Sequence, residues 1–203
     1  MSGVAEKILR CANERPEGEV LSAKGLLHLA SRAAIDQALS RLHRGGELLR
    51  VGRGLYVAPV RSRFGTRAPK PEKVVASIAA ATGDTIAPSG AASANALGLT
   101  TQVPVRPVYL TSGRSRTIRL GRQVVELKHA PKWQLNVPRG AAGEAVRALA
   151  WLGPKHAREA ATTLRSRLPL RERMALVSAR AQMPSWLAET VSHTFREEAA
   201  GVR

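Results

Sequence analysis

The sequence is poor in sulfur, in aromatic rings and in acids. Cys11 is the only cysteine in 203 residues, so neither an intramolecular disulfide nor a thiolate zinc cluster can form. Aromatics make up 3% of the chain, so a core must be built mostly of Ala, Val and Leu. No stretch approaches the roughly 20 apolar residues of a membrane-spanning helix. The opening MSGVAEKILRCANER holds no apolar run long enough for a secretory signal. A cytoplasmic protein with no membrane partner is therefore expected. His28, His43, His129, His156 and His193 are scattered and make no paired H-x₃₋₅-H site, so neither metal nor other cofactor is expected. Asp and Glu number 15 against 32 Lys and Arg, for a net charge of +17. On a chain that is 44% apolar, this excess points to a polyanionic partner, nucleic acid above all. The charge is even along the chain: +6 over residues 1–68, +6 over 69–135 and +5 over 136–203. That argues against a lone disordered basic tail.

The densest pattern is SRAAIDQALSRLHRGGELLRVGRGLYV, residues 31–57. Ser31 suits a helix cap and Gly45-Gly46 a stop. With Ile35 inward, Ala38, Leu39 and Leu42 join it on one apolar face. The opposite face presents Ala33, Gln37, Ser40 and Arg44, flanked by Asp36 and Arg41, with Arg32 in the first turn. Small side chains let such a helix approach a major groove, Gln can bond adenine, and Arg can bond guanine or phosphate. The plainer reading is a solvated helix face. Two short strands follow at 47–51 and 55–58, joined by Gly52-Arg53-Gly54, with the glycines supplying positive φ. Arg53 sits at the tip and Arg50 near it. Ahead of this stretch, Ser2 caps a helix over 3–15 whose stripe is Val4, Ile8, Leu9, Cys11 and Ala12. Cys11 reads there as a small core residue. Val20-Leu21 suggests a very short strand. Ser22 then caps a second helix through residue 29, burying Leu26, Leu27 and Leu29. Three helices and a basic-tipped hairpin amount to a winged helix-turn-helix.

Arg61, Arg63, Arg67 and Lys70, among Pro59, Pro69 and Pro71, read as an extended basic linker that can also track phosphate. A helix over 72–82 buries Val74, Val75, Ile78, Ala79 and Ala81 and stops at Gly83. Residues 85–87 suggest a strand. Pro88-Ser89-Gly90 opens an Ala-rich helix over 91–97, stopped by Gly98. Its small, uncharged side chains imply burial at close range. Runs at 106–111, 116–120 and 123–129 turn at Gly113 and Gly121-Arg122 and read as an antiparallel meander. Arg114, Arg116, Arg119 and Arg122 make a candidate second basic patch, for nucleic acid or an acidic protein. A charged guard on a solvated edge is the simpler account.

Asp84 with Glu126-Leu127-Lys128 echoes the Asp…Glu-x-Lys set of Mg²⁺-dependent nucleases. The plainer reading puts Glu126 and Lys128 on a solvent face, with Val125, Leu127 and partly His129 turned inward. From Gly140 the pattern is helical, over 144–152, 155–167 and 170–182, and again from Pro184. Met174, Leu176, Val177 and Ala181 are core positions of the third helix. Leu187, Val191 and Phe195, with Trp186 beside them, serve the fourth. Arg158, Arg165, Arg167, Arg171, Arg173 and Arg180 fall on outer faces, as solvation.

Three stretches together carry a likeness to a known family: VAEKILRCANER, the 31–57 segment, and APSGAASANALGLTTQVPVRPVYLTSGRSRTIRLG. Residues 3–130 resemble the AbiEi-type antitoxins of type IV toxin–antitoxin (abortive infection) systems. The run over residues 88–104, of the form PSGAxxANxLGLxTQVP, is the more specific part. The C-terminal helices match in general character only. The resemblance implies a bacterial, cytoplasmic protein, nucleoid-associated when bound to DNA. Its winged helix would bind inverted repeats in its own promoter and repress the operon. Its second domain would counteract a nucleotidyltransferase-type toxin.

The expected fold is α+β: a winged helix-turn-helix over 1–60, a linker over 61–71, and a mixed domain over 72–200 with a sheet region at 85–130 and helices at 141–198. The expected function is a non-enzymatic DNA-binding regulator and antitoxin, working on double-stranded DNA as a homodimer. Competing readings are a Mg²⁺-dependent nuclease with a DNA-binding arm and a basic adaptor that docks an acidic protein.

Overall fold

The computed structural model describes residues 3–63, 65–138 and 140–196. In chain order the elements are α1 (Val4–Asn13), β1 (Val20–Ser22), α2 (Arg32–Arg44), β2 (Leu49–Gly52), β3 (Leu55–Val57), β4 (Val60–Ser62), β5 (Gly65–Arg67) and α3 (Pro71–Thr82). There follow β6 (Ile86–Pro88), α4 (Gly90–Ala96), β7 (Val108–Thr111), β8 (Arg116–Leu120), β9 (Gln123–His129), α5 (Lys132–Leu135), α6 (Ala141–Arg167), α7 (Leu170–Ser178) and α8 (Ser185–Thr194). The class is α+β, with small antiparallel sheets and C-terminal helices. Two compact units interleave along the chain. One is formed by residues up to Ile86 with Ser115–Leu127, the other by Ala87–Arg114 with the chain from Lys128 onward.

In the first unit α2 buries Ile35, Ala38, Leu39 and Leu42, the face that periodicity selects. They pack with Ile8 and Ala12 of α1 and with Leu21, Leu48 and Tyr56. Cys11 is half-buried against the same core. The Ser31 hydroxyl accepts the Ala34 amide at 3.4 Å. At the head of α1, Gly3 holds the capping position, while Ser2 lies outside the described residues. The sheet runs β1-β3-β2, antiparallel, with Leu21 and Arg50 on either side of Tyr56. His43 joins α2 to this sheet. Its Nδ1 lies 3.1 Å from the Leu48 carbonyl, and its ring meets Tyr56 edge-on at 6.4 Å.

The helix expected over 22–29 is instead a single 3₁₀ turn, Lys24–Leu26. The capping bond is present, from the Gly25 amide to the Ser22 hydroxyl at 3.0 Å. However, Ser22 is already paired with Leu55 in the sheet, and the Ala23 amide donates to Gly54. Strand pairing thus claims the residues a first helical turn would need, and Gly25 is a weak helix former. Leu26 is buried, but Leu27 is 49% exposed.

The expected linker is also ordered. β4 and β5 pair antiparallel, with Val60 opposite Arg67, and Arg61 forms an ion pair with Glu47. The carboxylate of Glu17 accepts from Arg67 at 2.8 Å, from Lys73 at 2.8 Å and from the Lys70 amide at 3.1 Å. The hydrogen bonds from Arg67, then Lys73 and the Lys70 amide, hold its pKa down at about 2. α3 buries Val74, Val75 and Ile78, whereas Ala81 is exposed. The Ser77 hydroxyl accepts the Val20 amide at 2.8 Å. β8 and β9 form an antiparallel hairpin with Ile118 opposite Val125, and β8 lies against β2.

In the second unit α4 packs closely on α6. A Cβ on Gly90 would stand 2.3 Å from the Trp151 Cβ and 2.5 Å from the Arg147 carbonyl, so only hydrogen fits. This is the close approach that the small residues of α4 imply. α6 is broken at Gly153 (φ 73°, ψ 173°), ahead of Pro154, where the sequence puts its stop. Val146, Leu149, Leu164, Leu187, Val191 and Phe195 anchor the core. Met174, at 41% exposed, lies on the outward side of α7, and Ala181 is exposed in the 3₁₀ turn, Ala179–Gln182, that follows the end of α7 at Ser178. The meander is not formed, since β7 is not the neighbour of β8. Past β9 the Ala130 amide donates to Thr111, the last residue of β7; long-range pairing overrides the hairpin that Gly113 suggests. Among the described residues, no helix is long and apolar enough to cross a membrane.

Two stability predictions follow from these contacts. Gly90→Ala should cost at least about 1–3 kcal/mol by overpacking, read as a lower urea midpoint; an unchanged midpoint would contradict the packing. Glu17 has a folded pKa below its ordinary 4.5. Its contribution is therefore complete above about pH 4.5 and fades as the pH falls toward about 2. The melting temperature of Glu17→Gln should lie below wild type at neutral pH and converge with it by about pH 2. A gap independent of pH would rule out the ionised contact.

Candidate nucleic-acid interface

Burying one face of α2 turns the other to solvent. Ala33, Gln37, Arg41 and Arg44 are exposed and Ser40 is half-buried. Arg32 and Asp36 do not stand apart: the Arg32 Nε donates to the Asp36 carboxylate at 2.7 Å. Both are about half exposed, and such an i,i+4 pair contributes only about 0.3–0.5 kcal/mol. Arg44 leans back on its own helix, donating from Nε to the Ser40 carbonyl at 3.4 Å. Arg41 and Arg44 crowd the last turn, where cations are favoured by the helix dipole. That is a structural reason for part of the charge.

The hairpin continues directly from this helix. Gly52 pairs with Leu55, and a bulge lies between Arg50 and Gly52. Of the two glycines at the turn, only Gly54 is left-handed, at φ 68°. Gly52 instead makes room: a Cβ there would meet the Leu55 side chain at 3.3 Å. Arg53 is exposed at the tip. Arg50 is exposed too, its Nε donating to the Gly52 carbonyl at 3.3 Å.

Of the four arginines of the second basic patch, three belong to the first unit and one to the second. Arg116 is engaged with the Asp84 carboxylate at 2.9 Å, both partly buried. Arg119 and Arg122 are exposed on the β8–β9 hairpin of the first unit, and Arg114 belongs to the second unit. The two carboxylates of the nuclease set have these neighbours. Asp84 faces a guanidinium, and Glu126 stands opposite Thr117 in the hairpin. Among the described residues, no three His, Cys, Asp or Glu could hold an ion together. His129 is not turned inward; it is exposed, with Nδ1 2.9 Å from the Gly113 carbonyl.

Two arginines of the second unit differ from the sequence reading. Arg167 is not merely solvated: its Nη1 donates to the Leu97 and Gly98 carbonyls at 3.1 and 2.8 Å, closing the end of α4. Arg147, which no pattern singles out, is 7% exposed. Burial lowers its pKa, opposed by the nearby charge of Glu144. Its only sequence signal is its position inside the apolar run AVRALA, which an amphipathic helix also tolerates.

The model of a family described as "Family of unknown function (DUF6088)" matches residues 7–173. No curated protein matches the chain. Among solved structures, the crystal structure of the RV2827C protein from Mycobacterium tuberculosis is similar, with 18% identity and a TM-score of 0.49 over 97% of this chain and 78% of that one.

The hairpin geometry separates its two glycines. Gly54→Ala, forced to a positive φ, should lose about 1 kcal/mol or more in denaturant unfolding. Gly52→Ala needs only a small shift of Leu55 and should lose less; the reverse order would refute the assignment of the turn.

Proposed function

We propose that this chain, which belongs to the DUF6088 family of unknown function, is a DNA-binding regulator whose first unit is a winged helix-turn-helix. One observation carries the reading. α2 has four apolar residues fully turned inward, leaving Gln37, Arg41 and Arg44 outward, and it is followed at once by a hairpin with Arg53 exposed at its tip. A polar helix face of that kind suits a major groove, and an arginine-tipped wing suits phosphate or the minor groove. The net charge of +17 supports a polyanionic partner. Arg119 and Arg122 extend the basic surface on a hairpin that lies against β2. Arg32 and Asp36 flank the reading face as a mutually neutralised pair, and Arg116 is left out of it.

The likeness of residues 3–130 to AbiEi-type antitoxins supports the finer proposal. The protein would act in the bacterial cytoplasm, bind inverted repeats in its own promoter as a homodimer, repress the operon and counteract a nucleotidyltransferase-type toxin. Co-expression with the adjacent open reading frame tests this last step: failure to relieve toxicity would remove the antitoxin role and leave the DNA role standing.

In a mobility-shift titration on the DNA upstream of its own gene, Arg44→Ala and Arg53→Ala should each weaken binding by about 1–3 kcal/mol where a base contact is lost. Where a phosphate contact is lost, the salt slope should fall by about 1. Wild-type affinity in both variants would sink the assignment.

A further inference from the structure

The second unit contains a cavity of about 340 Å³ with basic and apolar walls. Arg147, Lys128, Gln134 and Ser89 supply its polar lining, and Val108, Leu110 and Trp151 most of its apolar lining. No carboxylate lines it among the described residues. Arg147 is more than nine-tenths buried, yet its Nε has no hydrogen-bond partner. Among the described residues it forms no ion pair either, although Glu144 lies one turn away on the same helix. A buried guanidinium with neither an ion pair nor a hydrogen bond on its Nε is costly, and such groups are ordinarily paired or bonded. Its pKa is pushed down by that desolvation.

The backbone packs closely beside the guanidinium: a Cβ on Gly143 would stand 2.2 Å from the Pro138 carbonyl oxygen and 3.3 Å from the Arg147 Nη1. Trp151 stands one turn further along α6, and it is 47% exposed. An arginine in the lining, together with an apolar wall that includes an aromatic ring, is the composition a ligand site of this volume requires.

We propose that this cavity binds a small oxyanion, a phosphate or carboxylate carried on a flat apolar group, with Arg147 as the principal anion donor. The apolar group lies along Val108, Leu110 and Trp151, and Lys128 adds charge at the wall. The site belongs wholly to the second unit and does not depend on the DNA reading.

The test uses the full chain and three probes: phenyl phosphate, benzoate and inorganic phosphate, titrated by calorimetry with tryptophan fluorescence alongside. At least one aryl probe should bind saturably at one site and more tightly than inorganic phosphate. Preference between phenyl phosphate and benzoate identifies which oxyanion the site takes. Arg147→Met should weaken that binding by about ten-fold or more, the loss of charge-assisted hydrogen bonds, while melting no lower than wild type without ligand. Arg158→Met, at an exposed position of the same helix, should bind as wild type does. If Arg147→Met fails to fold, Arg147→Lys keeps the charge without the fork and should still bind several-fold more weakly. Lack of saturation by every probe would overturn the site. So would unchanged affinity in the Arg147 variant, or equal weakening by Arg158→Met, which would mean diffuse attraction to a basic surface.

Discussion

Ile35, Ala38, Leu39 and Leu42 have nearly all of their surface removed from water, and the orientation of α2 follows from that. Four aliphatic positions on one stripe cannot be buried unless the remaining stripes face out. The outward set of Gln37, Arg41 and Arg44 is thus a by-product of packing before it is anything else. The hairpin inherits its place from the same burial. Leu48 and Tyr56 join that core, and His43 links the end of the helix to the strand carrying Tyr56. A charge-reversing change on the outer face leaves this framework standing, whereas a polar group at Leu39 would dissolve it.

What could be read in advance divides along physical lines. α2, α3, the break at Gly153 and the Leu187–Val191–Phe195 stripe were legible because each rests on local periodicity or on a backbone that only glycine adopts easily. The close seating of α4 was legible from its lack of bulk. The 3₁₀ turn at Lys24–Leu26 was not, since the decision between helix and strand lies with Leu55, more than thirty residues away. Glu17 is similar: nothing nearby in sequence marks it as the acceptor for Arg67, Lys70 and Lys73. Strand order failed for the same reason, since turn residues name a bend but not a partner. In the candidate interface, the exposed residues were foreseeable from the helix face. The withdrawal of Arg116 by Asp84 and the pairing of Arg32 with Asp36 depend on side-chain reach, which spacing does not encode.

The basic charge is thus sorted rather than uniform. Some arginines hold the fold, such as Arg67 on Glu17 and Arg167 on the end of α4. Others stand outward on α2 and the hairpins. Arg147 is a third kind, enclosed and with its Nε unbonded. Net charge alone describes none of these roles.

The Arg32–Asp36 pair carries a consequence of its own. Both groups are solvated and lie one helical turn apart, so separating them is nearly free. Asp36 therefore acts as an exchangeable counterion stationed at the edge of the polar face. A weakly charged visitor leaves it in place and meets a locally neutral surface. On the proposed DNA-binding reading, a dense polyanion would displace it and gain Arg32, but would then hold a carboxylate close to its own charges. While it holds, the pair leaves Arg32 and Asp36 with no net charge between them at the beginning of α2, and the unpaired positive charge of that face starts at Arg41.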